Sequence, residues 1–328
     1  MRIALIKSSS MGDVIHALPV VSDLIAARPG IEIDWLVEES FADLPGLHPG
    51  VDQTLAVAVR RWRRTPLSAT VRAEVKGLAR RLRERRYDLA LDLQGLVKSA
   101  WLAWLTGAPI AGFDWGSARE PLATLAYRHR YPVPNDLHAI ERLRQLAGQA
   151  IGYPVSGLPR FDLRPPGLDL PWCPARPYAV FLHATSRADK QWPAAHWVTL
   201  ATRLLAQGVS VVLPWGSPAE QSQARAIADQ GGRAPGVAAI VVAPRLSLAE
   251  CASLLAGAHM VAGVDTGLTH LAAALGRPTA ALFAATPGWR FGPYWSPRAA
   301  SLGELGVWPQ PDEVLATLMR LAALPCQA

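Results

Sequence analysis

Cysteine is scarce: Cys173, Cys251 and Cys326 are the only three in 328 residues. Their spacing fits neither a metal-ligand pattern nor a disulfide framework, which points to a reducing cytoplasm. Long apolar runs are missing too, since none approaches the roughly 20 residues of a membrane-spanning helix. The N-terminus reads as a strand broken by Lys7, not as a signal peptide. No Gly-x-Gly-x-x-Gly follows that strand, which argues against a dinucleotide oxidoreductase. No Gly-x-x-x-x-Gly-Lys-Ser/Thr is present, which argues against a P-loop nucleotidase. No two Asp residues are separated by a single position, so the Asp-x-Asp pair through which many sugar-nucleotide enzymes hold a metal is absent as well.

What the chain has is apolar substance and a local excess of positive charge. Half of its residues are hydrophobic, enough for two cores, and 328 residues make two domains the natural division. The net charge is +7, yet residues 60–86 alone hold eleven Lys or Arg against two acids, Glu74 and Glu84. The remainder is therefore slightly acidic. A local basic patch implies a local anionic partner: phosphate, nucleic acid or an anionic membrane. Twelve Trp and 28 Pro are high counts to which the sequence alone assigns no function.

Strands and helices alternate. Strand patterns start at residues 2–7, 31–37, 53–57 and 89–93, with helical patterns between them at 13–27 and 68–86. This is the pattern of a doubly wound α/β fold with a parallel sheet. Residues 161–177 are rich in proline and break every periodicity, so they are expected to link a first domain, 1–160, to a second, 178–328. The last helix is allowed to return to the first domain. Past the linker the alternation restarts, with strands at 178–182, 209–213, 239–242, 260–264 and 279–283. Ligands in such sheets lie beyond the carboxyl ends of the strands, and two facing domains would share a cleft.

Four constellations stand at strand ends. The most informative is residues 260–283: a strand, the turn Asp265-Thr266-Gly267, a helix over 268–275 carrying His270, and a second strand. The free N–H groups of a helix start and the positive end of its dipole make such a turn an anion site. The plain alternative is that Asp265 or Thr266 only caps the helix. In SSSMGDVIHALP, Gly12 permits a tight turn and Asp13 begins a helix. Asp13 is either a cap or a carboxylate able to take a proton from a substrate hydroxyl. In HATSRADKQWP, Thr185 and Ser186 offer hydroxyls, and Lys190 offers a mobile charge suited to phosphate. His183 there reads as half-buried packing. In LPWGSPAEQ, Glu220 either stabilises a helix dipole or contacts a hydroxyl or adenine. Of the basic stretch, Arg60, Arg61, Arg63 and Arg64 are expected in a loop past a strand, as ligands. Residues 72–86 read as largely a solvated helical face, and Arg119 is a weaker candidate.

Taken together, these segments and DWLVEESFADLP, DLQGLVKSA, FDWGSARE, HAIER and VDTGLTHLAAALGRP resemble the bacterial lipopolysaccharide heptosyltransferases, above all those adding the first heptose, over nearly the whole chain. The resemblance implies the GT-B fold, two facing Rossmann-like domains. It implies inverting transfer from ADP-L-glycero-β-D-manno-heptose to the first Kdo sugar of Kdo-lipid A, with no cofactor and no metal. It makes Asp13 the general base. The donor site corresponds to Thr185, Ser186, Lys190, Glu220, Asp265, Thr266, Gly267 and His270. The acceptor side corresponds to Lys7, Gly12, Arg60, Arg61, Arg63, Arg64 and Arg119. It further implies peripheral attachment to the anionic inner face of the cell inner membrane. Family members tend to have Gly-Pro-Thr after the last strand of the 260–283 unit, where this chain has Ala284-Ala285-Thr286-Pro287. Three other readings stand beside this one: a second heptosyltransferase type or another nucleotide-sugar transferase, a nucleic-acid binder suggested by the arginines, and a nucleotide-sugar epimerase or oxidoreductase retaining NAD.

Overall fold

The computed structural model describes residues 1–174, 177–185, 187–232 and 238–325. The chain divides into two compact units, Met1–Arg164 and Pro165–Ala328. In the first unit the order is β1 (Arg2–Ile6), α1 (Met11–Ala27), β2 (Glu32–Glu38), β3 (Gln53–Val57), α2 (Val59–Trp62), α3 (Ala69–Glu84), β4 (Leu89–Asp92), α4 (Val97–Leu105), β5 (Ile110–Phe113), β6 (His129–Tyr131) and α5 (Ala139–Ile151). The second unit continues with β7 (Tyr178–Leu182), α6 (Ala194–Ala206), β8 (Ser210–Leu213), α7 (Pro218–Gly231), β9 (Ile240–Val242), α8 (Leu248–Gly257), β10 (Met260–Val264), α9 (Gly267–Ala274), β11 (Thr279–Leu282), α10 (Gly288–Phe291), β12 (Ala299–Leu302) and α11 (Pro311–Ala322).

Each unit holds one six-stranded sheet, ordered β3-β2-β1-β4-β5-β6 in the first and β12-β11-β10-β7-β8-β9 in the second. All the strand pairs are parallel. Both sheets follow one topology: the first three strands wind outward one way, then the chain crosses back and the next three wind the other way. That reversal is the doubly wound switch point, between β1 and β4 in one unit and between β7 and β10 in the other. The central strands are buried along nearly their whole length. Continuous apolar runs of this kind belong to parallel sheets covered on both faces. α11 packs on α6, β10 and β11 of its own unit, and the Trp192 indole N–H donates to the Pro309 carbonyl at 3.0 Å.

Several elements differ from the sequence expectation. α1 begins at Met11 rather than at 13, because Ser10 and Asp13 close its first turn. Residues 59–62, expected as loop, form the short helix α2. Two long-range bonds drive that: the Arg60 backbone N–H donates to Glu38 Oε1 at 3.0 Å, and the Trp62 indole donates to Glu74 at 2.6 Å. α4, α5 and α11, and strands β5, β6 and β12, complete the alternation where no element was assigned.

Candidate active site

In the first unit, the residues past β1 and β4 meet at the switch point. Lys7 is buried, and its Nζ donates to the Leu93 carbonyl at 3.2 Å. Gln94 Oε1 accepts from the Ser8 backbone N–H and from its hydroxyl, both at 2.9 Å. The β4 loop is itself held by Asp92, which accepts from Tyr127 Oη at 2.7 Å, Ser99 Oγ at 2.8 Å, and the backbone N–H groups of Gln94 and Gly95 at 2.8 and 3.2 Å. Burial nonetheless raises the Asp92 carboxyl above its ordinary range.

Asp13 occupies the first turn of α1. Its Oδ2 accepts from the Ser10 backbone N–H at 3.0 Å and from Ser10 Oγ at 2.7 Å, a capping box. Its Oδ1 faces Lys7 Nζ at 3.9 Å, and the side chain keeps 38 % of its exposure. Asp13 therefore caps its helix and still presents an accessible oxygen. Burial pushes its carboxyl up, but Lys7 and the two Ser10 bonds outweigh that and hold it below the usual range. Lys7 is depressed by its own burial, against the pull of Asp13 and Asp92. Arg119 lies within electrostatic reach of both Lys7 and Asp13, and Arg142 within reach of Lys7. Gly12 sits beside Asp13 in the same turn.

The four arginines of the basic segment separate. Arg60 stacks its guanidinium 5.3 Å from the centre of the Phe41 ring. Arg61 is clasped by two carboxylates, Glu74 at 3.0 Å and Glu39 at 3.4 Å, so it braces α2 against α3. Arg63 and Arg64 are exposed and form no ion pair with a described residue. Lys98, which the sequence reading passed over, donates to Ser9 Oγ at 2.9 Å. Burial, then Arg60 and Arg63, lower its pKa against the pull of Glu38, which places all three cations in one field.

In the second unit, the residues past β7 and β10 meet in the same way. Asp265 is 11 % exposed and stands at the centre. Its Oδ2 accepts from Lys190 Nζ and from Thr286 Oγ1, the latter at 2.5 Å, and its Oδ1 lies 3.2 Å from His270 Nε2. Burial raises its carboxyl, but the His270, Lys190 and Thr286 bonds prevail and hold it far below the usual range. The plain capping reading fails here: Asp265 bonds side chains, and Thr266 makes no side-chain cap bond. The Gly267 and Leu268 N–H groups at the start of α9 find no partner among the described residues. α9 approaches β10 closely because residue 263 is Gly; a Cβ there would meet Thr269 Oγ1 at 2.1 Å, and that hydroxyl donates to the Val264 carbonyl at 2.7 Å.

The remaining donor candidates are more peripheral to this centre. Glu220 Oε2 accepts from the Gly216 N–H at 2.7 Å, and its carbonyl lies 3.2 Å from His183 Nε2, so it closes its own turn. His183 is buried, and burial lowers its pKa. Thr185 Oγ1 accepts from the Arg187 N–H at 3.4 Å, and Ser186 lies outside the described residues. Arg187 pairs with the exposed Asp189, while Lys190 ends the 3-10 turn Ala188–Lys190 that carries it to Asp265. Thr286 was not singled out by sequence; it lies 21 residues from Asp265, and no local pattern marks the pair.

Comparison with known proteins gives this geometry a family. Residues 75–320 match the description of glycosyltransferase family 9 (heptosyltransferase). The chain is 48 % identical over 297 residues to lipopolysaccharide heptosyltransferase 1 of Pseudomonas aeruginosa, covering 88 % of this chain and 80 % of that one. Its fold is similar to that of E. coli heptosyltransferase WaaC solved with ADP, at a TM-score of 0.86, 38 % identity and 98 % coverage of each chain. A second structure of that enzyme, with ADP-2-deoxy-2-fluoro heptose, aligns at a TM-score of 0.83 and 40 % identity, again over 98 % of each chain. The two doubly wound units are those of a GT-B glycosyltransferase, and the chain belongs to glycosyltransferase family 9, the heptosyltransferases.

Proposed function

We propose that this heptosyltransferase moves L-glycero-D-manno-heptose from ADP-heptose to the first Kdo of Kdo-lipid A, with inversion at the anomeric carbon. The observation that carries the reading is the pair of switch-point sites, an accessible ionised carboxylate in one unit and an anion-receptive helix start with a lysine in the other. The first unit supplies acceptor contacts and the base. Asp13 takes the proton of the acceptor hydroxyl as its oxygen attacks the anomeric carbon and the bond to the diphosphate breaks. Lys7 keeps the Asp13 carboxylate ionised, and Arg60, Arg63, Arg64, Lys98 and Arg119 meet the phosphates and carboxylates of the acceptor.

The second unit supplies donor contacts. The free Gly267 and Leu268 amides and Lys190 stabilise the departing ADP charge without reorganising. Asp265, held by His270 and Thr286, fixes Lys190 at the helix start and accepts from sugar hydroxyls. Thr185, Ser186 and Glu220 complete the nucleotide side. Similarity to enzymes named lipopolysaccharide heptosyltransferase 1 favours this reading over the nucleic-acid and NAD alternatives. No helix of the described residues is long and apolar enough to cross a membrane, and the basic segment suits a peripheral place on the anionic inner leaflet.

Purified protein mixed with ADP-heptose and Kdo-lipid A should release ADP and add one heptosyl mass to the acceptor. Turnover with a UDP- or GDP-sugar in place of ADP-heptose, or no mass gain, would refute the assignment.

A further inference from the structure

An apolar strip lies exposed on the first unit, apart from the site described above. On α4, Val97, Trp101 and Trp104 recur at i, i+4 and i+7, so they share one helix face. They are 48, 36 and 58 % exposed, while Ser99, Ala100, Leu102, Ala103 and Leu105 take the buried side. α4 packs against the 3-10 turn Pro121–Ala126. Side chains at i and i+3 eclipse in a 3-10 helix, so Leu122 and Leu125 project together, at 62 and 69 % exposure. Trp101 also meets the Trp62 ring edge-on at 6.3 Å between centroids. Two exposed tryptophans and two exposed leucines thus sit on elements that pack against each other, and exposed apolar surface of this kind marks interaction sites.

The border of the strip is cationic. The Arg130 guanidinium donates to the Thr124 carbonyl of the 3-10 turn at 2.9 Å. Arg83 of α3 lies against the far end of α4, where a Cβ on Gly107 would meet its Cγ at 3.5 Å. Arg72 and Lys76 fall on the same side of α3 as Arg83, by helical spacing, and all three are exposed. The acid at the strip, Glu120, has its carboxylate occupied by the Val97 N–H at 2.8 Å, at the start of α4.

We infer that this strip is a bilayer-docking face: Trp101, Trp104, Leu122 and Leu125 enter the headgroup boundary of an anionic membrane while Arg72, Lys76, Arg83 and Arg130 meet its phosphates. Indoles and leucines on one side with arginines around them is the composition of an interfacial surface. Charge complementarity selects an anionic lipid surface over a protein partner, because exposed Arg72, Lys76, Arg83 and Arg130 outnumber the acid Glu120 around the apolar strip. The proposal adds to the peripheral location in the functional reading, which rests on the basic segment alone and gives purely salt-sensitive binding. An inserted strip leaves a fraction that salt does not remove.

The test is co-sedimentation of the whole protein with vesicles of phosphatidylcholine containing phosphatidylglycerol, at low and high salt, beside pure phosphatidylcholine. Wild type should bind the anionic vesicles and keep part of that binding at high salt. Trp104→Ser combined with Leu122→Ser and Leu125→Ser should lose the salt-resistant part and weaken binding at least tenfold, with an unchanged circular dichroism spectrum and melting point. Because the readout needs no sugar substrate, it stands or falls separately from the transferase assay. Variant binding equal to wild type would overturn the proposal. So would a wild-type dimer in sedimentation velocity that the triple variant converts to monomer, since a second copy would then cover the strip.

Discussion

The two units share one strand order and put an aspartate at each switch point, yet they hold it in opposite settings. Asp13 keeps 38 % of its side-chain exposure, with Lys7 at 3.9 Å and, among the described residues, only Ser10 bonded to it. Asp265 keeps 11 % and is gripped by Lys190, Thr286 and His270. A carboxylate with an open oxygen can exchange a proton with a substrate. One gripped by three side chains holds its cation in place and keeps little accepting capacity for a substrate hydroxyl. The difference lies in the neighbours that the fold brings, because both carboxylates are ionised at neutral pH.

The largest expected effect breaks the contrast at its first term. Asp13→Asn keeps the helix cap's shape but removes the proposed base, and should lower kcat by a factor on the order of 10²–10⁴. ADP affinity, measured by calorimetry, should stay within twofold; an equal loss of both would make Asp13 a structural residue. Next, Asp265→Asn leaves the half-buried Lys190 without its counter-charge. It should cost about 3 kcal/mol of unfolding free energy in a urea titration. The pH dependence sharpens this. Asp265 is depressed in the folded state, so its contribution is complete above the unfolded carboxyl value of about 3.9 and fades as pH falls below it. The gap between wild type and Asp265→Asn should thus be flat near neutrality and close in acid. A gap that widened in acid would contradict the assignment.

A smaller shift is expected from Lys7→Gln. Removing the cation should move the acid limb of kcat/KM upward, because Asp13 loses the charge that favours its ionised form. An unmoved limb would assign the limb to another group. The smallest effects distinguish the arginines. Arg63→Ala should raise acceptor KM several-fold with donor KM unchanged. Arg61→Ala, whose guanidinium is already held by Glu74 and Glu39, should change acceptor KM less and instead loosen α2.

Much of this was legible in the chain. The buried runs of β1, β7 and β10 announce parallel strands, and Asp265-Thr266-Gly267 announces a helix start at a strand end. Local signals of that kind survive because burial period and capping chemistry act over a few residues. The partner of each charge was not legible. Thr286 reaches Asp265 from 21 positions away. Glu74 turns Arg61 from a free cation into a brace, and Glu38 draws residues 59–62 into a helix instead of a loop. Lys98 carries no local signal, and only the fold gathers Ser9, Arg60 and Arg63 around it.

Sequence by itself determined the alternation of strand and helix, the two doubly wound units and the strand-end positions of Asp13, Lys190 and Asp265, because these follow from hydrophobic period and turn chemistry along the chain. Tertiary structure alone decided which aspartate stays open and which is gripped, which arginine is tied down, and that two tryptophans of α4 face outward. Those outcomes depend on side chains brought together across a sheet, and no short-range pattern encodes them.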